Sequence, residues 1–188
     1  MTESALPRLK TERLWLKLLE PADAPLMTRF RLDNKLHLTK WEPTRPPEFY
    51  TDAFWYMQLK IAIREFRNRT NLCLVILDEM ESRVVGVCNY TNIVRGTFQS
   101  CHLGYALDFE HEGHGLMFEA LQASNRYVFE AFSLHRIMAN YMPRNKRSGD
   151  LLSRLGFIVE GEARSFLKID GQWEDHILTS LINPREHP

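Results

Sequence analysis

At 188 residues the chain has the length of one ordinary domain, and its 44% apolar residues are enough to fill a substantial core, which excludes a disordered or fibrous protein. Its 24 basic and 24 acidic side chains cancel, so no global charge points to direct nucleic-acid binding or to an anionic membrane surface. Met1-Thr2-Glu3-Ser4 lacks the apolar core of an export signal, and the longest apolar run, Leu72 to Leu77, is too short to span a bilayer. The expectation is a soluble, cytoplasmic protein made of a single domain over residues 1–188.

In chain order, Arg13 to Leu18 predicts a strand, and Pro21 to about Leu36 a helix with proline at its start. Trp41 to Pro47 is a proline-rich loop. Glu48 to about Arg69 reads as a long helix, with Phe54, Met57 or Gln58, and Ile61 on one side and Lys60, Arg64 and Arg67 nearer another. Strands follow at Leu72 to Leu77 and Val84 to Ile93, and a hairpin turn at Arg95-Gly96 leads to a further strand. There Cys101, Leu103, Tyr105 and Leu107 alternate with smaller or polar residues. After Gly115 the period changes: Leu116, Ala120, Ala123 and Tyr127 form one helical stripe, flanked by Met117, Leu121 and Val128. His135 to Tyr141 predicts an inner strand. Phe157 to Ile169 and Trp173 to Ile182 form a closing pair across Asp170-Gly171, a strong hairpin turn. Strands alternating with helices in one continuous pattern give an α/β class with a mixed sheet and helices on both faces. Cys73, Cys88 and Cys101 are odd in number, lie in apolar runs and have no metal-ligand spacing, so they read as reduced core thiols.

The segment Glu110-His111-Glu112-Gly113-His114-Gly115 stands between a strand and a helix N-terminus. First-turn amides of a helix have no partner inside it and sit at the positive end of its dipole, so a pyrophosphate can be held there by backbone alone. Glycine removes the Cβ that would block its approach. Glycines also end strands and open turns for structural reasons, so this turn by itself carries little. A second segment adds to it. Asn145, then Ser148, then Leu151, Leu152 and Leu155 before Gly156-Phe157, predicts a short amphipathic helix with a glycine stop and a strand after it.

Together these segments resemble the GCN5-related N-acetyltransferase family, whose cofactor loop is Gln or Arg, two residues, Gly, one residue, then Gly or Ala. Its later motif is Asn, a small residue three on, often Tyr seven on, and Gly-Phe eleven and twelve on. Gly113, Gly115, Asn145, Gly156 and Phe157 match. Longer stretches, among them Gly86 to Tyr90, Leu103 to Tyr105, Gly115 to Leu121, His135 to Pro143, Asn145 to Asp150, Asp170 to Trp173 and Trp41 to Pro43, resemble its ribosomal-protein N-terminal alanine acetyltransferase branch. The resemblance implies a central, mostly antiparallel sheet with a splayed strand pair for the cofactor. It also implies acetyl-CoA as cosubstrate, no metal, direct acetyl transfer, and a ribosomal protein N-terminus as partner, the enzyme being a monomer or homodimer. Leu107 and Phe109 would contact the pantetheine arm, and Glu112, Gly113, His114, Gly115, Leu116 and Met117 the pyrophosphate, with Asn145 and Arg147 also at the cofactor. Arg144, Lys146 and Arg147 would meet phosphates or an acidic peptide, or form an ordinary solvated basic loop.

Departures from the pattern assign the remaining roles. Glu110 stands where the family prefers Gln or Arg and is expected to point away from phosphate. Leu152 stands where the thiolate-protonating Tyr often lies, which makes Ser148 the catalytic candidate at the sulfur, with Asn145 beside it; a small polar residue also simply suits a first helical turn. The position of the base used in a related branch is Asn140, which cannot take a proton. Near pH 7.5 roughly a third of an α-amine but only about a thousandth of a lysine amine is neutral, so an N-terminal acceptor needs little help. Glu42 ranks first as base, ahead of His102, Asp108 or a water held by Asn140 and Tyr141. Trp41, Tyr90 and Tyr141 would line a small pocket for an alanine methyl, or belong to the core. Three other functions compete. A metal hydrolase would use Asp108, Glu110, His111, Glu112 and His114, whose side chains should instead fan into solvent if the glycine amides bind phosphate. Acetylation of a small amine such as a polyamine or aminoglycoside, or a noncatalytic ribosome-binding module, would use the same scaffold.

Overall fold

The structure, a computed structural model, describes residues 5–185, so the reading of Met1 to Ser4 concerns residues outside that range. Its strands are β1 (Arg8–Lys10), β2 (Trp15–Lys17), β3 (Leu72–Leu77), β4 (Val84–Val94), β5 (Ser100–Leu107), β6 (Arg136–Tyr141), β7 (Ile158–Ile169) and β8 (Gln172–Ile182). They form one sheet in the order β1-β2-β3-β4-β5-β6-β8-β7, antiparallel throughout except where β5 meets β6. The helices are α1 (Ala24–Asp33), α2 (Lys35–Thr39), α3 (Asp52–Arg67), α4 (Leu116–Phe132) and α5 (Lys146–Arg154).

Alternation along the inner strands sends side chains to two apolar layers. Val75, Leu77, Val87 and Ala106 pack with Ala24, Met27 and Phe30 of α1, Leu38 of α2 and Leu59 of α3. Leu74, Ile76, Cys88, Tyr90 and Leu103 pack with Ala120, Leu121, Val128 and Phe129 of α4 and with Leu152 of α5. Helices therefore cover both faces, as the sequence pattern predicts. Cys88 and Cys101 are buried, Cys73 is half-buried, and all three thiols are free. Burial pushes Cys88 and Cys101 up to about 12 and Cys73 up to about 11, which leaves them unreactive.

Where the elements differ from expectation, a named side chain is the reason. The first helix stops at Asp33 because buried Asn34 turns its amide back onto the Phe30 carbonyl at 3.0 Å, which ends the ladder before α2 begins. Residues Pro47–Tyr50 form a 3-10 turn, and α3 starts only at Asp52, where the Thr51 hydroxyl accepts the Phe54 amide at 3.3 Å. Its buried stripe is Leu59, Ala62 and Phe66; Met57, placed on one side with Phe54 and Ile61 by the sequence pattern, is half exposed at 52%. The Asp170-Gly171 hairpin is as expected, with φ of 44° and 78° at its two central residues. Strand β1 had no clear sequence signal; its three residues pair only with β2.

Candidate active site

Strands β5 and β6 pair over only three rows, Ser100 with Arg136, Cys101 with Ile137 and His102 with Met138, and then part. Beyond that fork β5 stays paired to β4 as far as Leu107, and β6 to β8 as far as Tyr141. The inner edges of Leu103 to Leu107 and of Ala139 to Tyr141 are thus strand edges facing a gap. Unpaired edges of this kind accept an extended, amide-bearing guest by backbone hydrogen bonds.

The wide end of the gap leads to the glycine turn. Gly113 and Gly115 have φ of 81° and 76°, left-handed values that glycine adopts without strain, and Gly115 is the N-cap of α4. A Cβ on Gly113 would meet nothing within 4 Å, and one on Gly115 only the Arg13 guanidinium at 3.8 Å. Among the described residues, no protein acceptor meets the amides of Gly113, His114 or Gly115. Those amides and the first turn of α4 fit an anionic group. Arg13 fixes the turn from across the chain: its Nη1 donates to the His114 carbonyl at 3.0 Å and its Nε to Glu119 at 2.7 Å. Glu119 also accepts from the Thr11 hydroxyl at 2.6 Å. Burial works against its charge, but Thr11 and Arg13 together hold its carboxyl below the usual range. Sequence reasoning missed Arg13, since nothing near it in the chain marks a partner more than a hundred residues away.

The acids and histidines of the turn do not fan uniformly into solvent. Asp108 is 2% exposed and accepts from the Asn34 amide at 3.1 Å, Arg83 at 2.9 Å and the Glu110 backbone at 2.9 Å, with His111 at 3.3 Å. Desolvation opposes its charge, yet these donors hold its pKa below the ordinary value. It anchors the end of β5. Glu110 faces Arg83 at 2.9 Å, turned outward as its departure from the family pattern implies. Glu112 joins His37 of α2 at 3.2 Å and Arg147 of α5. No group of three or more metal-ligating side chains lies together among the described residues. Asn34 accepts the Phe109 amide at 2.9 Å, so that N–H is not free for a pantetheine arm; the ring of Phe109, exposed and tilted against His37 with centroids 5.3 Å apart, is its open surface.

Inside the fork, Tyr105 and Ser148 meet. The Tyr105 hydroxyl lies 2.7 Å from the Ser148 Oγ, joining β5 to the first turn of α5. Burial pushes the phenol up to about 12, with the Ser148 hydrogen bond offsetting part of that rise. Asn145 caps α5, its Oδ1 accepting the Ser148 amide at 3.3 Å, so it positions the serine. Gly149 packs closely there: a Cβ would lie 2.8 Å from the Tyr141 ring, which would have to shift. Sequence reasoning named Ser148 but missed Tyr105; its place on one strand face between Leu103 and Leu107 was the available signal.

Other candidates take structural posts. Glu42 pairs with buried Arg31 at 2.8 Å and with Arg45 at 3.4 Å, which makes it the counter-ion of a buried cation rather than a free base. Arg144 stacks on Trp41 at 5.2 Å and pairs with Glu174 at 2.8 Å, tying the tryptophan loop to β8. Tyr90 is fully buried, with its hydroxyl 2.7 Å from both Ser124 and Asn125 of α4, and lines no substrate pocket.

This arrangement has counterparts among known proteins. The acetyltransferase (GNAT) domain model matches residues 13–158. The chain belongs to the GNAT acetyltransferase family. It is 45% identical over 178 residues to the ribosomal protein uS5-alanine N-acetyltransferase of Escherichia coli strain K12, a match covering 94% of this chain and 91% of that one. The crystal structure of the ribosomal-protein-S5-alanine acetyltransferase from Vibrio fischeri superposes with a TM-score of 0.92 at 38% identity, over 97% of this GNAT chain and 100% of that chain. Mycobacterium smegmatis RimJ, solved in complex with CoA-disulfide, gives 0.86 at 28% identity over 97% and 88% of the two chains.

Proposed function

We propose that this chain is an acetyl-CoA-dependent enzyme that acetylates the N-terminal alanine of a ribosomal protein, acting in the cytoplasm as a single domain over residues 1–188. The observation that carries the reading is the Tyr105–Ser148 pair inside a strand fork that opens onto an unoccluded glycine cradle. The 45% identity to a uS5-alanine acetyltransferase supports the acceptor. The amides of Gly113 to Met117 receive the pyrophosphate of the cosubstrate, and the free edges of β5 and β6 receive its pantetheine amides, with Leu107 and the Phe109 ring alongside. Arg147 then exchanges Glu112 for a phosphate oxygen.

Acetyl-CoA supplies the acyl group as a thioester. The acceptor nitrogen forms a bond to the carbonyl carbon, the electron pair of the C–S bond leaves on sulfur, and the amine sheds a proton. The Tyr105 hydroxyl, kept protonated by its burial, and Ser148 form a short chain that delivers a proton to the departing thiolate. Asn145 holds Ser148 in register, and no side chain here needs a metal.

Incubating the protein with acetyl-CoA, an excess of chelator and a peptide beginning with alanine tests this reading. The expected result is acetylated α-amine and one free thiol per transfer, at a rate the chelator does not change. A rate abolished by chelator favours the metal hydrolase, and ribosome binding without any transfer favours the noncatalytic module.

A further inference from the structure

We infer that His102 is the group that takes the proton released by the substrate amine during transfer, an inference that rests on the acetyltransferase reading above. His102 is the last residue of β5 paired with β6, so it stands at the vertex of the fork. Strand alternation places it with Gly104 on the face opposite Leu103 and Tyr105. Gly104 is the exposed residue of β5, and a Cβ there would meet nothing within 4 Å, so the sheet face beside the imidazole is open. Met138 and Asn140 continue that face on β6. One pleat separates His102 from Gly104, about 7 Å along the strand, which a side chain and one water span.

The two faces divide the chemistry. The entering amine and the departing sulfur occupy different corners of the tetrahedral carbon, so their protons need groups on two sides of the gap. Tyr105 and Ser148 serve the sulfur from the α5 side, and the imidazole serves the amine from the other. The lone pair of the nitrogen forms the C–N bond. The proton it sheds moves to the His102 imidazole, directly or through that water, and passes to solvent when product leaves, while the C–S electron pair leaves on sulfur and is protonated through Tyr105 and Ser148.

The carboxylates nearby are already engaged: Asp108 by Asn34 and Arg83, Glu110 by Arg83, Glu112 by His37 and Arg147, Glu42 by Arg31 and Arg45. Among the described residues, none hydrogen-bonds the His102 ring. Its Nδ1 is shut off from solvent and the residue as a whole is half-buried, which leaves Nε2 as the nitrogen a guest would meet. Its register partners, Thr91 on β4 and Met138 on β6, and the adjacent Asn89 and Asn140 carry no charge, and burial alone lowers its pKa. Burial therefore favours the neutral ring, the form that can accept a proton.

The test compares wild type, His102→Gln and His102→Asn with acetyl-CoA and an alanine-terminal peptide between pH 6 and 10, alongside circular dichroism and coenzyme A binding. Wild-type transfer establishes the reading on which the inference rests; a wild type that transfers nothing overturns both. With wild type active, the inference predicts that kcat at pH 7 falls about a hundredfold in both variants while coenzyme A affinity stays within threefold. The deficit narrows at least tenfold by pH 10, where hydroxide takes the shed proton in place of the imidazole. A loss within threefold at pH 7, or an equal loss at every pH, overturns the assignment of His102 and leaves the acetyltransferase reading standing.

Discussion

In the proposed transfer, the chemistry turns on Tyr105. A phenol raised to about 12 stays protonated across any working pH, so it donates without titrating away, and its contact with Ser148 extends that donor toward α5. Tyr105→Phe should lower kcat about a hundredfold, and Ser148→Ala about tenfold or more. Because both hydroxyls belong to one proton path, the double variant should be no worse than Tyr105→Phe alone. Full additivity in steady-state kinetics would show two independent structural roles instead. A few-fold loss on Ser148→Ala alone removes the serine from catalysis. At this scale the sequence was readable where a residue has one physical reason to exist. Gly113 and Gly115 marked a Cβ-free turn at a helix start, and the structure places them there with open space where a Cβ would stand on Gly113. It was unreadable where the reason is a distant partner: Asp108 and Asn34 are 74 positions apart, and Glu42, an acid in an aromatic loop, could not be seen to serve Arg31.

At the scale of elements, the site depends on how α5 sits against β6. Gly149 lets the first turn of α5 press onto Tyr141, one residue from Ser148. Gly149→Ala gains about 1 kcal/mol of helix propensity but crowds the ring, an overpacking cost of about 1–3 kcal/mol. A displacement near 1 Å at reacting groups costs about a hundredfold in rate. The expected outcome is a modest fall in melting temperature with at least a tenfold fall in kcat; a variant as active as wild type contradicts the role given to this packing. Long alternating or periodic segments such as β4, β5 and α4 were legible because burial imposes their period. The boundaries at Asn34 and Thr51 were not, because side chain to backbone bonds that end or start a helix compete locally with propensity.

At the scale of the whole molecule, carboxylates that tie distant segments set the response to acid. Asp108 joins α1, β4 and the glycine turn, and Glu119 joins α4 to the segment before β2. Both have folded-state pKa values below their ordinary ones, so their contribution is present above about pH 4 and is lost as pH falls through the folded values. Denaturant unfolding at pH 7 and pH 3.5 should show wild-type stability falling between them. Asp108→Asn should be less stable by about 1–3 kcal/mol at pH 7 and show a shallower fall. An unchanged slope removes Asp108 from the account.

The family scaffold accommodates many amines, so the acceptor is decided by comparison and not by fold. A panel of peptides beginning with Ala, Ser or Met, together with spermidine and free lysine, assayed with acetyl-CoA under one set of conditions, addresses this most directly. The highest kcat/KM is expected for the alanine peptide, with acetylation confined to its α-amine; a preference for spermidine or for a lysine side chain would contradict the alanine assignment.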